Sequence, residues 1–219
     1  MLVDGPSVRA IGLPFPTRMI VVRLTDGALW VNSPVHVSPE LLASLPAVGP
    51  VKYLVAPTRL HVWRLEEWHT LFPDAELWGP PQIPRQFRHL PFRGMLNDEP
   101  PRGWSEDLDQ LVFRGNLFVE EVHFFHRASR SLIVADFLQN HRPVEGRPFV
   151  NTLCRLFGAA YPRGGVPYDI RWSFLDRKRA RQSLEKLLSW DFENLIVAHG
   201  VCIRTHGREF VERAFRWLK

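Results

Sequence analysis

The chain of 219 residues reads as a layered α/β protein, and three observations carry that reading. Strand-length apolar runs alternate with amphipathic helical segments, the pattern expected when helices pack on the faces of sheets. Three of those runs, KYLVAP, SLIVAD and NLIVAHG, each close on a polar or turn-forming residue, and ligands in layered α/β folds bind just beyond the carboxyl ends of strands. Finally, 45% of the residues are hydrophobic, with 15 Phe and 8 Trp among them, enough to fill the core of a single domain spanning residues 1–219.

The elements follow in order. MIVVRL (Met19 to Leu24) and ALWVNS (Ala28 to Ser33) flank Asp26-Gly27 and predict a β-hairpin. Ser38, with Pro39 behind it and Glu40 in the first turn, predicts a capped short helix. VKYLVAP is a strand ending at Pro57, and Arg64 to Ala75 is a helix with Leu65, Trp68 and Leu71 on one face, stopping before Pro73. AELWGPP returns as a strand. Residues 79–109 are proline-rich and lack periodicity, so they predict a long surface excursion of the kind that forms lids or binding loops. LDQLVFRG and VEEVHFFH read as strands, and SLIVADF as a fully buried strand carrying Asp136. A helix over Phe149 to Phe157, a loop through YPRGGVPYDIRWS, a helix over Asp176 to Trp190 capped by Asp176, the strand NLIVAHG and an amphipathic helix in GREFVERAFRWLK complete the chain.

Composition narrows the function classes. No apolar run approaches membrane-span length. The N-terminal MLVDGPSVRA lacks the basic and apolar regions of a signal peptide. Cys154 and Cys202 sit in apolar surroundings without motif spacing, which predicts free thiols in a reducing compartment; the expected location is cytoplasmic. The net charge is +5 and the isoelectric point about 9.7. The basic cluster RKRARQ (Arg177 to Gln182) falls at a helix start and reads as a solvated face, so nucleic-acid binding ranks last. No G-x-S-x-G, Walker loop or G-x-G-x-x-G occurs. If the three strand ends converge, His61, Asp136 and His199 share one pocket.

SLIVADF followed by NLIVAHG resembles the second half of the metallo-β-lactamase fold, where one strand ends in a metal-bridging aspartate and a later one in a ligand histidine followed by glycine. YLVAPTRLHVW resembles the loop that carries that family's H-x-H-x-D-H signature. RMIVVRLTDGALWVNSPV, GPVKYLVAPTRLHVW, RGNLFVEEVHFFHRASRSLIVADFLQN and VAHG together are similar to the group named domain of unknown function 4336, over roughly Arg18 to Leu218. The resemblance implies a four-layer αββα sandwich, two mixed sheets face to face with helices outside. It also implies a remodelled metal site: the signature positions fall on Pro57, Arg59, His61 and Val62, a further ligand position on Asn116, and the D-x-G turn on Asn32-Ser33-Pro34, while Asp136 and His199 match.

Arginine stays protonated and offers no lone pair, so the first metal site of the dinuclear family is lost. Two histidines and one carboxylate still make a three-ligand site with open positions, suited to zinc or ferrous iron. Two readings stay open. In the first the protein is a mononuclear metal-dependent hydrolase of a small ester, thioester or phosphoester. His61, Asp136 and His199 then bind one zinc or iron, Arg59 and Asn116 position substrate, and the 79–109 excursion covers the cleft. In the second no metal binds, Arg59 pairs with Asp136 and His199 donates to a neighbouring carbonyl, and a non-catalytic scaffold uses Arg59, Arg142, Arg147 and Arg163 to hold an anionic ligand or a partner protein. His141 and His206 are secondary candidates near strand ends, and exposed-looking Trp172 and Trp190 leave room for a dimer.

Overall fold

A computed structural model describes residues 1–10 and 13–219. Strands β1 (Leu2–Ala10), β2 (Leu13–Arg23), β3 (Leu29–Asn32), β4 (Val51–Val55), β5 (Glu76–Gly79) and β6 (Phe92–Met95) form one six-stranded sheet in sequential order. Strands β7 (Leu108–Phe113), β8 (Glu121–His126), β9 (Ser131–Asn140) and β10 (Asn194–Gly200) form a second, ordered β10-β9-β8-β7. Both sheets are mixed: β1–β3 and β7–β9 pair antiparallel, whereas β3–β6 and the β9–β10 pair run parallel.

Alternation of side chains along each strand divides the interior into three cores. Ile20, Val22, Trp30, Tyr53 and Val55 of the first sheet meet Leu108, Val112, Val122, Phe124 and Ile133 of the second, so the two sheets pack face to face. The residues between them point the other way. Met19, Val21, Leu29, Val31 and Leu54 pack beneath α1 (Pro39–Ser44) and α2 (Leu65–Leu71), through Leu41, Leu65 and Trp68. Leu111, Phe113, Leu132, Leu195 and Val197 pack beneath α5 (Arg177–Leu188) and α6 (Gly207–Ala214), through Leu184, Leu187, Phe210 and Val211. The order of layers is therefore helix, sheet, sheet, helix. Helices α3 (Pro148–Leu156) and α4 (Tyr168–Trp172) bury no residue and lie outside these layers.

Local chemistry agrees at the helix starts: the Ser38 hydroxyl accepts from Leu41 N–H and the Asp176 carboxylate from Arg179 N–H. The sequence reading fails in three places. It assigns no strand before Met19, yet β1 covers DGPS and β2 starts at Leu13, because an edge strand tolerates proline and its register shifts between Gly5 and Val8. The 79–109 excursion is partly internal: β6 extends the sheet, and buried Trp104 packs edge-on against Trp30, Tyr53 and Trp78. The expected loop before α5 holds α4. Trp190 stacks on Phe125 at 5.8 Å, while Trp172 is 75% exposed. No helix is long and apolar enough to cross a membrane among the described residues. Both cysteines are free.

Candidate metal centre

The chain leaves β4 at buried Pro57, whose carbonyl accepts from Val122 N–H at 2.9 Å and so ties the exit loop to the second sheet. Thr58 follows, fully buried, and its hydroxyl donates to Asp136 Oδ2 at 2.7 Å while accepting from Leu60 N–H at 3.1 Å. A turn closed by His61 N–H on the Thr58 carbonyl then brings the His61 ring over the same carboxylate. Thr58 escapes a sequence search because a threonine in a loop carries no motif.

Asp136 sits on an interruption of the second sheet. Val197 pairs with Val134, but His199 pairs with Gln139, so β9 advances five residues where β10 advances two. The β8–β9 ladder has already ended at Ile133. Backbone donors in such a bulge need other partners, and one buried side chain supplies them. The carboxylate of Glu121, fully buried, accepts from the N–H groups of Ala135, Asp136 and Phe137 at 2.6, 2.9 and 2.8 Å. Glu121 carries no signal in the sequence, since a charged residue in an alternating strand looks solvent-facing.

His199 comes from β10, and its Nδ1–H donates to the Pro16 carbonyl at 2.7 Å. Gly200 follows it at φ +106°, and a Cβ there would stand 2.2 Å from the Asn140 carbonyl oxygen, so only glycine fits. Arg18 fixes this strand end from the first sheet. Its Nη1 donates to the carbonyls of Val197 at 2.8 Å and Gly200 at 2.7 Å, and its Nε donates to Asp4 at 2.7 Å.

These elements bring His61, Asp136 and His199 together, with ligand atoms all within 4.8 Å of one another. No other such group of three His, Cys, Asp or Glu side chains occurs among the described residues. The proton positions follow from the partners. Ser33 Oγ donates to Asn32 Oδ1 at 2.7 Å, so it accepts from His61 Nδ1–H at 2.8 Å. The Pro16 carbonyl likewise fixes the proton of His199 on Nδ1. Both Nε2 atoms then face one oxygen, Asp136 Oδ1, at 3.3 Å from His61 and 3.2 Å from His199. Two lone pairs against an anionic oxygen repel unless a cation intervenes, either protons or a metal. Charge-assisted N–H···O contacts shorten to about 2.7–2.9 Å. The edge of a tetrahedron with arms of about 2.0–2.1 Å is about 3.3 Å. The two N···O spacings match the second value, as expected of ligands that share one zinc-sized ion with positions left open.

The electrostatics show the same demand for positive charge beside Asp136. Burial would raise the Asp136 carboxyl, but the charges and hydrogen bonds of His61 and His199 outweigh it and hold the group far below the usual carboxylate range. Burial would lower His199, but the hydrogen bond and charge of Asp136 raise it above the ordinary imidazole value. Nearby His141 is pushed down to about 4 by burial and by the charge of His199, and its Nε2 meets Gln139 Oε1 at 2.9 Å.

The cluster forms the floor of a cleft of about 710 Å³, a size suited to a small molecule. Val8 and Phe15 of the β1–β2 ribbon line one side, Leu60 and Trp63 another, and Ile170 of α4 a third. Two expected site residues lie elsewhere. The turn that buries Thr58 against Asp136 leaves Arg59 exposed, 3.5 Å from the Phe118 carbonyl and lining a separate groove. Asn116 spends its side chain bracing a loop: it donates to Ser173 Oγ at 2.7 Å and accepts from the N–H groups of Phe118 and Val119. Asp136 is therefore partnered by Thr58, His61 and His199, not by Arg59. The 79–109 segment lines the Arg59 groove and contributes nothing to the walls of the cleft. His206 is exposed and pairs with Glu209.

A family model described as "Domain of unknown function (DUF4336)" matches residues 10–145, which include Thr58, His61 and Asp136. No curated protein matches the chain. Among solved structures, a metallo-β-lactamase from Erythrobacter litoralis is similar at 11% identity with a TM-score of 0.60, over 99% of this chain and 85% of that one. The DIM-1 metallo-β-lactamase exposed to ceftazidime gives 11% identity and a TM-score of 0.62 over 100% and 93%. The rubredoxin:oxygen oxidoreductase of Desulfovibrio gigas gives 12% identity and a TM-score of 0.64 over 99% of this chain but 59% of that one, so the chain spans about three fifths of its length. At such identities the likeness is one of fold, and the fold is that of the metallo-β-lactamases.

Proposed function

The chain belongs to the DUF4336 family and has the metallo-β-lactamase fold, and on that premise we propose that it is a mononuclear metal-dependent hydrolase of a small ester, thioester or phosphoester. The observation that carries this reading is the convergence of two oriented imidazole Nε2 atoms on one carboxylate oxygen at 3.2 and 3.3 Å. His61, Asp136 and His199 are the residues to hold the ion. When bound, zinc or ferrous iron supplies Lewis acidity and lowers the pKa of water at its open position.

The rest is done by this chain. Ser33 and the Pro16 carbonyl hold the two imidazoles in the Nδ1–H tautomer, so each presents a lone pair at Nε2. Thr58 occupies Asp136 Oδ2 and leaves Oδ1 for the ion. Phe15, Leu60 and Trp63 offer apolar surface to the apolar part of a substrate.

The test is an assay of zinc- or iron-loaded protein on p-nitrophenyl acetate, an acyl thioester and bis-p-nitrophenyl phosphate. Turnover of at least one of them is expected, falling at least about 100-fold in Asp136→Asn and on chelation. Rates that match Asp136→Asn on all three substrates, with metal bound, would refute hydrolysis.

A further inference from the structure

A second concavity, of about 590 Å³, opens beside the cleft and is lined by Arg59, Arg85, Arg88 and Gln82 between walls that include Pro81 and Pro84. No acidic residue lines it. None of the three arginines forms an ion pair with a carboxylate among the described residues, and the contact of Arg59 with the Phe118 carbonyl, at 3.5 Å, is a long one. Three guanidinium groups around one hollow repel each other, so the backbone must hold them there. Arg85 and Arg88 are three residues apart on a 3₁₀ turn (Arg85–Phe87) and its cap, where side chains at i and i+3 eclipse. Phe87 between them is buried in the outer core and meets Trp63 edge-on at 5.0 Å, which pins the turn. Arg59 approaches from the β4 exit loop.

We propose that this groove binds a small phosphorylated molecule, with a phosphate or diphosphate group held by Arg59, Arg85 and Arg88. Guanidinium forks match phosphate oxygens in pairs, and two or more negative charges neutralise a hollow that no lining carboxylate balances. The volume suits a small ligand. The proline-rich 79–109 segment thus has a binding role at a place other than the metal cleft. The proposal does not depend on hydrolysis.

Inorganic pyrophosphate titrated calorimetrically into chelator-treated, full-length protein tests it. Saturable binding is expected, weakened at least about tenfold in the exposed-residue variant Arg85→Gln/Arg88→Gln. Wild-type affinity is expected in Arg142→Gln/Arg147→Gln and in His199→Ala. Absence of saturable binding overturns the proposal, as does equal weakening in the Arg142/Arg147 control, which would mark general charge. Loss in His199→Ala overturns it by placing the anion in the metal cleft. Tighter binding of a single-stranded oligonucleotide through Arg85 and Arg88 overturns it in favour of a nucleic-acid surface.

Discussion

The D-x-G turn of the broader family falls on Asn32-Ser33-Pro34, and here the hydroxyl of its middle residue, Ser33, holds the His61 ring. The Ser33 backbone sits at φ +55°, its N–H bonds the Val55 carbonyl, and its hydroxyl accepts the His61 Nδ1 proton. Removing that hydroxyl frees the ring to rotate and exchange tautomers. Ser33→Ala is expected to fold while lowering zinc affinity about 10–100-fold, read by competition with a chromogenic chelator; unchanged affinity would show that Ser33 does not orient His61. His141 gives a pH signature. Its folded value of about 4 lies below the ordinary 6.5, so as pH falls below 6.5 the unfolded chain takes up a proton that the folded chain refuses. Stability is therefore lost between pH 6.5 and 4, by up to about 3 kcal/mol, and levels off below. Urea unfolding of metal-free protein is expected to show this slope, with a smaller residual slope in His141→Phe from His126, which burial also lowers. An identical slope in the variant would contradict the assignment.

At the scale of elements, the Asp136 bulge depends on one strand bracing another. Glu121 of β8 replaces the ladder bonds that β9 lacks at Ala135, Asp136 and Phe137. Glu121→Gln puts an amide donor against backbone donors in a fully buried place, a mismatch expected to cost about 2–4 kcal/mol in urea unfolding and to weaken metal binding as Asp136 loses its position. A loss below 1 kcal/mol would mean that the bulge stands without its brace. What the sequence made legible here tracks local signals. Ser38, Asp176 and the SLIVAD and NLIVAHG runs announce helix starts and buried strands. Glu121, Thr58 and Arg18 matter through residues 14 or more positions away, and no local pattern marks them. β1 and β6 were hidden by their own prolines and glycines.

For the whole molecule, the site exists because two sheets pack so that the β4 exit loop, the β9 bulge and the end of β10 meet at one edge. The alternation of strand-length and helical segments anticipates α/β layering, the family resemblance supplies the four-layer order, and the strand ends anticipate His61, Asp136 and His199 as neighbours. The placement of Arg59 is not anticipated, because whether a loop side chain turns inward depends on which neighbour, here Thr58, the carboxylate recruits. Arg18 spans the sheets by holding the Val197 and Gly200 carbonyls, so the His61–Asp136–His199 cluster and the β1–β2 wall of the cleft are coupled. The proposed function requires this junction to hold a metal ion. Metal content measured by plasma mass spectrometry, on protein purified without a histidine tag, tests it most directly. The account predicts about one zinc or iron per chain, lost in His199→Ala. A wild-type protein that stays metal-free after incubation with zinc and with ferrous iron would contradict it.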